Sequence, residues 1–217
     1  RQVNILNGAT LTVSVPMALD TVMMEEDAQV VFTATEGKLT ARSLRFAPLL
    51  SATGWKAFGM PFTSAVIKNS TEEEISAPST QNVDNGIWFA RLKDNKTPEF
   101  VVDESAFGMA GLWAANGDTY TISSEGAFEF KTLEEPAAPT ETGTFLMCSN
   151  PNTFTITLKQ SAYILTADGT SFEQEANPEI KPFQSFVLTD AKTLSTLRSL
   201  RIGDGVVTGN QTIEPVD

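Results

Sequence analysis

The chain has 217 residues and a formal net charge of −12, and its composition, 41% hydrophobic and 19% charged, is that of a globular protein. Its negative field disfavours nucleic acid and anionic lipid surfaces, and no apolar run approaches the about 20 residues that a transmembrane helix needs. With no histidine and a single cysteine, the chain lacks Ser–His and Cys–His nucleophile systems, an internal disulfide and a cysteine-based zinc site.

Tight turns divide the sequence into short segments. Glycine after Asn, Asp or Glu reaches a positive φ at little cost and marks the ends of hairpins. Such pairs occur at Asn7-Gly8, Glu36-Gly37, Asn85-Gly86, Asn116-Gly117, Glu125-Gly126, Asp168-Gly169 and Asp204-Gly205. Many short segments between turns favour a β-sandwich or a barrel.

Hydrophobic alternation predicts strands between these turns. Leu11, Val13 and Val15 alternate with polar residues, and the segments 128–130 and 153–158 show the same pattern. The segment 87–93 is apolar on both sides, as expected of a central strand. The sequence therefore predicts an all-β chain, an antiparallel β-sandwich of one or two sub-domains with at most one or two short helices.

Helical signals are few. Leu19, Val22 and Met23 could line one helical turn. Residues 189–200 could carry a short helix with Leu194 and Leu197 facing inward. Each segment could equally be an irregular crossover between strands.

Two acidic, proline-containing segments, 69–85 and 133–143, predict exposed loops. We expect residues 1–50 to form N-terminal strands that pack on, or continue from, a preceding region. Residues 51–217 then form the β-sandwich module, with a candidate joint near 133–143. The sequence shows no convincing internal repeat.

Four motifs, in this order, carry a family resemblance. They are GWKAFGMPF at 54–62, GTF at 143–145, AYIL with DGTSF at 162–172, and IKPFQSFVL with LRIGDG at 180–205. Over residues 54–209 the chain resembles a C-terminal β-module of secreted and cell-surface proteins of Bacteroides-type bacteria, which often follows leucine-rich or β-helical repeats. It differs at Gln184-Ser185, where an arginine–aromatic pair is more usual.

The resemblance implies a location and a general role. The location is the outer-membrane surface or the extracellular space, and the role is adhesive or structural without catalysis. No catalytic residues carry over, and no cofactor is expected. Asp20-Thr21-Val22 resembles the O-glycosylation acceptor of exported proteins in such bacteria, which makes Thr21 a candidate for modification.

Trp113 and Asp118 are the candidates for ligand binding. A flat indole stacks on sugar rings while neighbouring polar groups hold hydroxyls. Trp55 and Trp88 lie in strand-like apolar runs, whereas Trp113 leads into the turn at Asn116-Gly117. Exposure is therefore best supported for Trp113 among the three tryptophans, although burial in the core is the favoured outcome even there.

The acidic residues and the cysteine offer further sites, each with a simpler interpretation. Asp103, Glu104 and Asp118 could supply a glycosidase-like acid pair, although acidic turn residues are usually solvated. The runs 25–27 and 72–74 could attract calcium, but consecutive carboxylates diverge. Cys148 lies in an apolar run and is expected to be a buried, inert thiol.

Taken together, the patterns favour a non-catalytic module of an exported bacterial protein with an adhesive or structural role, and not an enzyme. Its partner would be an unidentified protein or glycan at the cell surface. The alternative is a glycan-binding module for polysaccharide capture, and a histidine-free glycosidase is third. Neither nucleic-acid binding nor a transmembrane segment is expected in this chain.

Overall fold

The computed structural model describes residues 1–33, 37–50, 55–60, 65–75, 87–102, 110–115, 119–130 and 132–202. In these ranges the chain is mostly β, with several largely antiparallel sheets, one mixed sheet and one short helix, which confirms the all-β prediction. The elements are β1 (Gln2–Ile5), β2 (Thr10–Val13), β3 (Met17–Glu25), β4 (Gln29–Phe32), β5 (Leu39–Ala47), β6 (Lys56–Phe58), β7 (Ala65–Lys68), β8 (Glu74–Ile75), β9 (Ile87–Leu92), β10 (Phe100–Val102), β11 (Gly111–Ala115), β12 (Thr121–Ser124), β13 (Phe128–Phe130), β14 (Phe145–Ser149), β15 (Ile156–Thr157), β16 (Ala162–Leu165), β17 (Ser171–Glu175), β18 (Glu179–Ile180), β19 (Ser185–Thr189), α1 (Ala191–Thr196) and β20 (Ser199–Arg201).

The first five strands wind into a stack of coils. β1, β3 and β5 pair in parallel in one sheet, and β2 pairs in parallel with β4 in a second sheet. Partners lie 19 residues apart between β1 and β3 (Gln2 with Thr21), and 22 apart between β3 and β5 (Met17 with Leu39). The chain thus alternates between two parallel sheets, as in a β-solenoid. We call β1 to β5 the coil stack.

The helical turn considered at Leu19, Val22 and Met23 is wrong, because these residues belong to β3. β3 lies between β1 and β5, so both of its edges are hydrogen-bonded. Val22 and Met24, two residues apart, are both fully buried. This period of two fits a strand, and pairing on both sides outweighs the weak helical spacing.

The antiparallel sheet β10-β9-β11-β6 forms a middle layer with both faces covered. Ile87, Phe89 and Trp113 lie in the same core as the coil stack. Ala90 and Leu112 lie in a second core, which is shared with the C-terminal sheet β14-β19-β16-β17-β20. The prediction of a central strand at 87–93 is confirmed by β9.

The C-terminal sheet carries the short helix α1, which confirms the helix considered within 189–200. Asp190 caps its N-terminus by accepting from the backbone N–H groups of Lys192 and Thr193. The Thr193 hydroxyl is the main cause of a pKa for Asp190 well below the ordinary value, and the same carboxylate accepts from Gly143 N–H. The cap therefore joins the helix to the turn that precedes β14.

The segment 132–140 has no regular secondary structure. It is fastened to the following loops: Leu133 N–H donates to the side-chain oxygen of Asn152 at 2.7 Å, and Lys159 N–H donates to Glu135 at 3.0 Å. The division of the chain at residue 50, and the joint near 133–143, stay predictions.

Gly111 provides a test of the middle layer. A Cβ at this position would overlap the ring of Phe89 and lie 2.9 Å from the carbonyl oxygen of Ala90. We expect Gly111→Ala to lower the free energy of unfolding by about 1–3 kcal/mol, because the buried layer has no room to move. Urea denaturation measures the change.

Gly126→Ala is the matched control, since a Cβ there meets nothing within 4 Å. Its effect should stay within about 0.5 kcal/mol. Equal stability of Gly111→Ala and wild type would show that the middle layer is not tightly packed.

Candidate functional site

The later part of the chain closes one end of the coil stack. The outer edge of β5 pairs with two antiparallel strands: β12 at Arg45 and Phe46, and β13 at Leu39 to Ala41. An antiparallel partner changes the hydrogen-bond pattern of the ladder, so the parallel stacking stops at β5.

The second parallel sheet is closed at the same end. Val30 N–H donates to the carbonyl of Thr153 at 2.7 Å, and the Thr153 hydroxyl donates to the carbonyl of Val30 at 3.0 Å. Thr155 N–H donates to the side chain of Gln29 at 3.0 Å. The segment 153–155 therefore covers the edge of β4 and fixes it with both main-chain and side-chain hydrogen bonds.

The opposite end of the stack is open. β1 is the terminal strand of its sheet, and among the residues that the structure describes no strand pairs with the outer edge of β1 or of β2. Leu6 and Val15, which follow these two strands, are each 60% exposed. We call β1 and β2 with their connection, residues 2–13, the terminal coil.

An open cleft of about 380 Å³ lies beside the closed end. Its wall is formed by the turn after β3, by β6, by the segment 165–167 and by Lys181, Pro182 and Gln184. Trp55 lines it and is partly buried. We call this space the Trp55 cleft.

The charges of the Trp55 cleft are paired across elements. Lys56 on β6 forms an ion pair with Glu26, and Lys181 lies 2.7 Å from a carboxylate oxygen of Asp27. Glu26 also accepts from the backbone N–H of Leu49 at 2.7 Å. The cleft thus presents an indole beside balanced carboxylates and ammonium groups, which can accept from and donate to hydroxyls.

The structure confirms burial for Trp113, but the expected order of exposure among the three tryptophans is wrong. Trp113 is fully buried: its ring stacks on Phe58 at 4.8 Å between centroids, meets Phe89 edge-on, and its indole N–H donates to the Phe58 carbonyl. No face of Trp113 is left for a sugar. Trp55, which the sequence placed in the core, is the more exposed residue.

The structure describes only some of the predicted acidic sites. Asp118, Asp103 and Glu104 lie outside the described residues. The run 25–27 diverges as predicted, since Glu25 accepts from Asn7 N–H while Glu26 and Asp27 meet different lysines. In the ranges that the structure covers, no three acidic or thiol groups gather as a metal site would require.

Thr21 and Cys148 lie within strands. Thr21 pairs with Gln2 on one side and Ser43 on the other, and its glycosylation stays a prediction. Cys148 is only partly exposed and packs against a small core beneath β19. Burial raises the pKa of its thiol to about 12, so the thiolate is scarce at neutral pH, in line with an inert cysteine.

Sequence reasoning missed the coil repeat. The signal was present as pairs of similar residues 19 apart, such as Val3 with Val22 and Ala9 with Ala28. The turns also correspond, since Gly8 and Asp27 both have a positive φ, 70° and 61°. Two short, degenerate copies stood out too little to be recognised by inspection.

Comparison with known proteins gives no further assignment. No protein-family model, no curated protein and no solved structure matches the chain. In the part of the chain that the structure describes, the only helix is far too short to cross a membrane.

Proposed function

We propose that this chain is a non-catalytic module of an exported bacterial surface protein, and that its role is structural: it closes the end of a stack of β-coils. The sequence left two roles open, adhesive and structural, and the structural one is the role proposed here. Its site is the closed end of the coil stack.

The observation that carries the proposal is the change of pairing at β5. Three parallel strands are followed by two antiparallel strands from residues 121–130, while residue 153 covers the second sheet at β4. Solenoids need terminal units that differ from the repeats, because an open parallel edge would continue to recruit strands. The closed end has the features of such a terminal unit.

The shared core supports the same role. Buried residues of the stack, such as Val22 and Leu44, belong to one core with Phe89, Trp113 and Phe183 from later parts of the chain. A cap that continues the hydrophobic interior of the coils stabilises the last coil by removing its apolar surface from water.

The surface location is supported by the resemblance of residues 54–209 to modules of secreted Bacteroides-type proteins. We expect antibodies raised against this chain to label intact cells of the source bacterium, and external protease to remove the signal. A cytoplasmic protein of the same cells should stay unlabelled. A signal that is seen only after lysis would contradict the location.

Thr153→Val tests the closed end. The substitution keeps the shape but removes the buried hydroxyl that donates to Val30, and we expect a loss of about 1–3 kcal/mol in the free energy of unfolding. Hydrogen exchange followed by mass spectrometry should show faster exchange in residues 10–33.

Thr157→Val is the control, because Thr157 is an exposed strand threonine. It should leave both the stability and the exchange of residues 10–33 unchanged. If Thr153→Val leaves them unchanged as well, residue 153 does not hold the end of the stack.

The second candidate function is glycan binding, and the Trp55 cleft favours it. A partly exposed indole beside hydroxyl, carboxylate and ammonium groups is the usual arrangement for sugar recognition. The sequence pointed to Trp113 for this role, but the buried ring moves the candidate to Trp55.

We expect Trp55→Ala to weaken binding to any glycan that wild type retains on an array by at least about tenfold, because stacking area is lost. Trp55→Phe should lose less, and Leu146→Ala, an exposed residue outside the cleft, should bind as wild type. Calorimetry with the retained glycan measures the affinities. If the wild-type chain retains no glycan on the array, glycan binding is rejected as a function.

A further inference from the structure

The terminal coil repeats the design of the coil beneath it. Its inward-facing aliphatic residues correspond, 19 positions on, to residues that are already stacked below them. The pairs are Val3 with Val22, Ile5 with Met24, Leu11 with Val30 and Val13 with Phe32.

The path of the backbone repeats as well. Gly8 and Asp27 both turn the chain with a left-handed φ, and each is followed by an alanine, Ala9 or Ala28. The two coils therefore share a turn geometry as well as a hydrophobic pattern. β1 and β2 pack on the surface formed by β3 and β4. A further coil stacked on the terminal coil in the same way would meet a surface of the same kind.

Two aliphatic side chains of the terminal coil are incompletely covered. Val3 and Leu11 are partly exposed, whereas their counterparts one coil further in, Val22 and Val30, are fully buried. The difference is the cover that a neighbouring coil provides. If one more coil stacked on the terminal coil, Val3 and Leu11 would become as buried as Val22 and Val30 are now.

The terminal coil also lacks the usual protection of an edge. Free strand edges in monomeric proteins carry charges, above all lysine, that prevent further pairing. Residues 2–19 contain no charged side chain, although 19% of the chain is charged. An uncharged edge beside a strongly acidic remainder is typical of an edge that is paired in the working protein.

We propose that the outer edge of the terminal coil binds a further parallel β-coil of the same two-strand design. In the incoming coil each residue lies 19 positions before its partner, with aliphatic side chains over Val3, Ile5, Leu11 and Val13. The proposal rests on the structural role given above and names the partner of that role. A second copy of the chain is the less suitable occupant, since a two-fold axis would pair the strands antiparallel and lose this register.

The experiment duplicates residues 1–19 ahead of Arg1, so that the added copy lies 19 positions before the original. We expect the midpoint of thermal unfolding to rise by about 5 °C. Amide exchange in β1 and β2 should slow at least about tenfold, towards the rate of β3 and β4.

The matched control is the same duplication with the copies of Val3, Ile5, Leu11 and Val13 changed to lysine. It has the same length but cannot bury the added coil, and the original β1 and β2 should exchange as in wild type. Equal exchange and equal unfolding midpoints for the two duplications would overturn the proposal.

Sedimentation of the wild-type chain provides the second measurement. A monomer with rapidly exchanging β1 and β2 is expected. A dimer that protects these strands would overturn the proposal in favour of a second copy. The Thr153→Val result bears on the opposite end of the stack, so the closing role and the incoming coil can fail independently.

Discussion

Parallel pairing in register is the constraint on which the coil stack depends. Because successive side chains of a strand point to opposite faces, a slip of one residue between β3 and β5 would turn Val22 and Met24 out of the core. The register also fixes where the chain must turn, which explains the left-handed residues at equivalent points of consecutive coils. Burial of the coil interior and closure by β12 and β13 both follow from this alignment.

The middle layer joins the coil stack to the C-terminal sheet. A sheet that is covered on both faces needs apolar side chains in both directions, and β9 supplies them, with Phe89 in the core of the stack and Ala90 in the core of the C-terminal sheet. Trp113 fills the first of these cores and ties its indole N–H to β6. Its burial follows from this position between the two layers.

Local features were predicted where local forces decide them. The strand at 87–92 was predicted because its apolar residues lie on both sides. The spacing of Leu194 and Leu197 left a helix and a crossover equally open, and the structure shows the helix α1. The divergence of the carboxylates at 25–27 followed from strand and turn geometry alone. Exposure was harder to predict, since the order of Trp55 and Trp113 depends on which sheets cover them. The candidate cleft was not predictable, because Glu26, Trp55 and Lys181 come from distant parts of the chain.

Composition and local pattern were enough to predict the class of the chain, its short strands and the absence of imidazole chemistry. These properties depend on composition and on neighbours along the chain, where alternation and turn preferences act. Contacts between distant residues are what make β1 to β5 pair in parallel, close one end of the stack and leave an uncharged edge at the other. Hydrogen bonds and burial between residues 19 or more positions apart determine which strands pair. A four-residue strand contains too little sequence information to specify its partner.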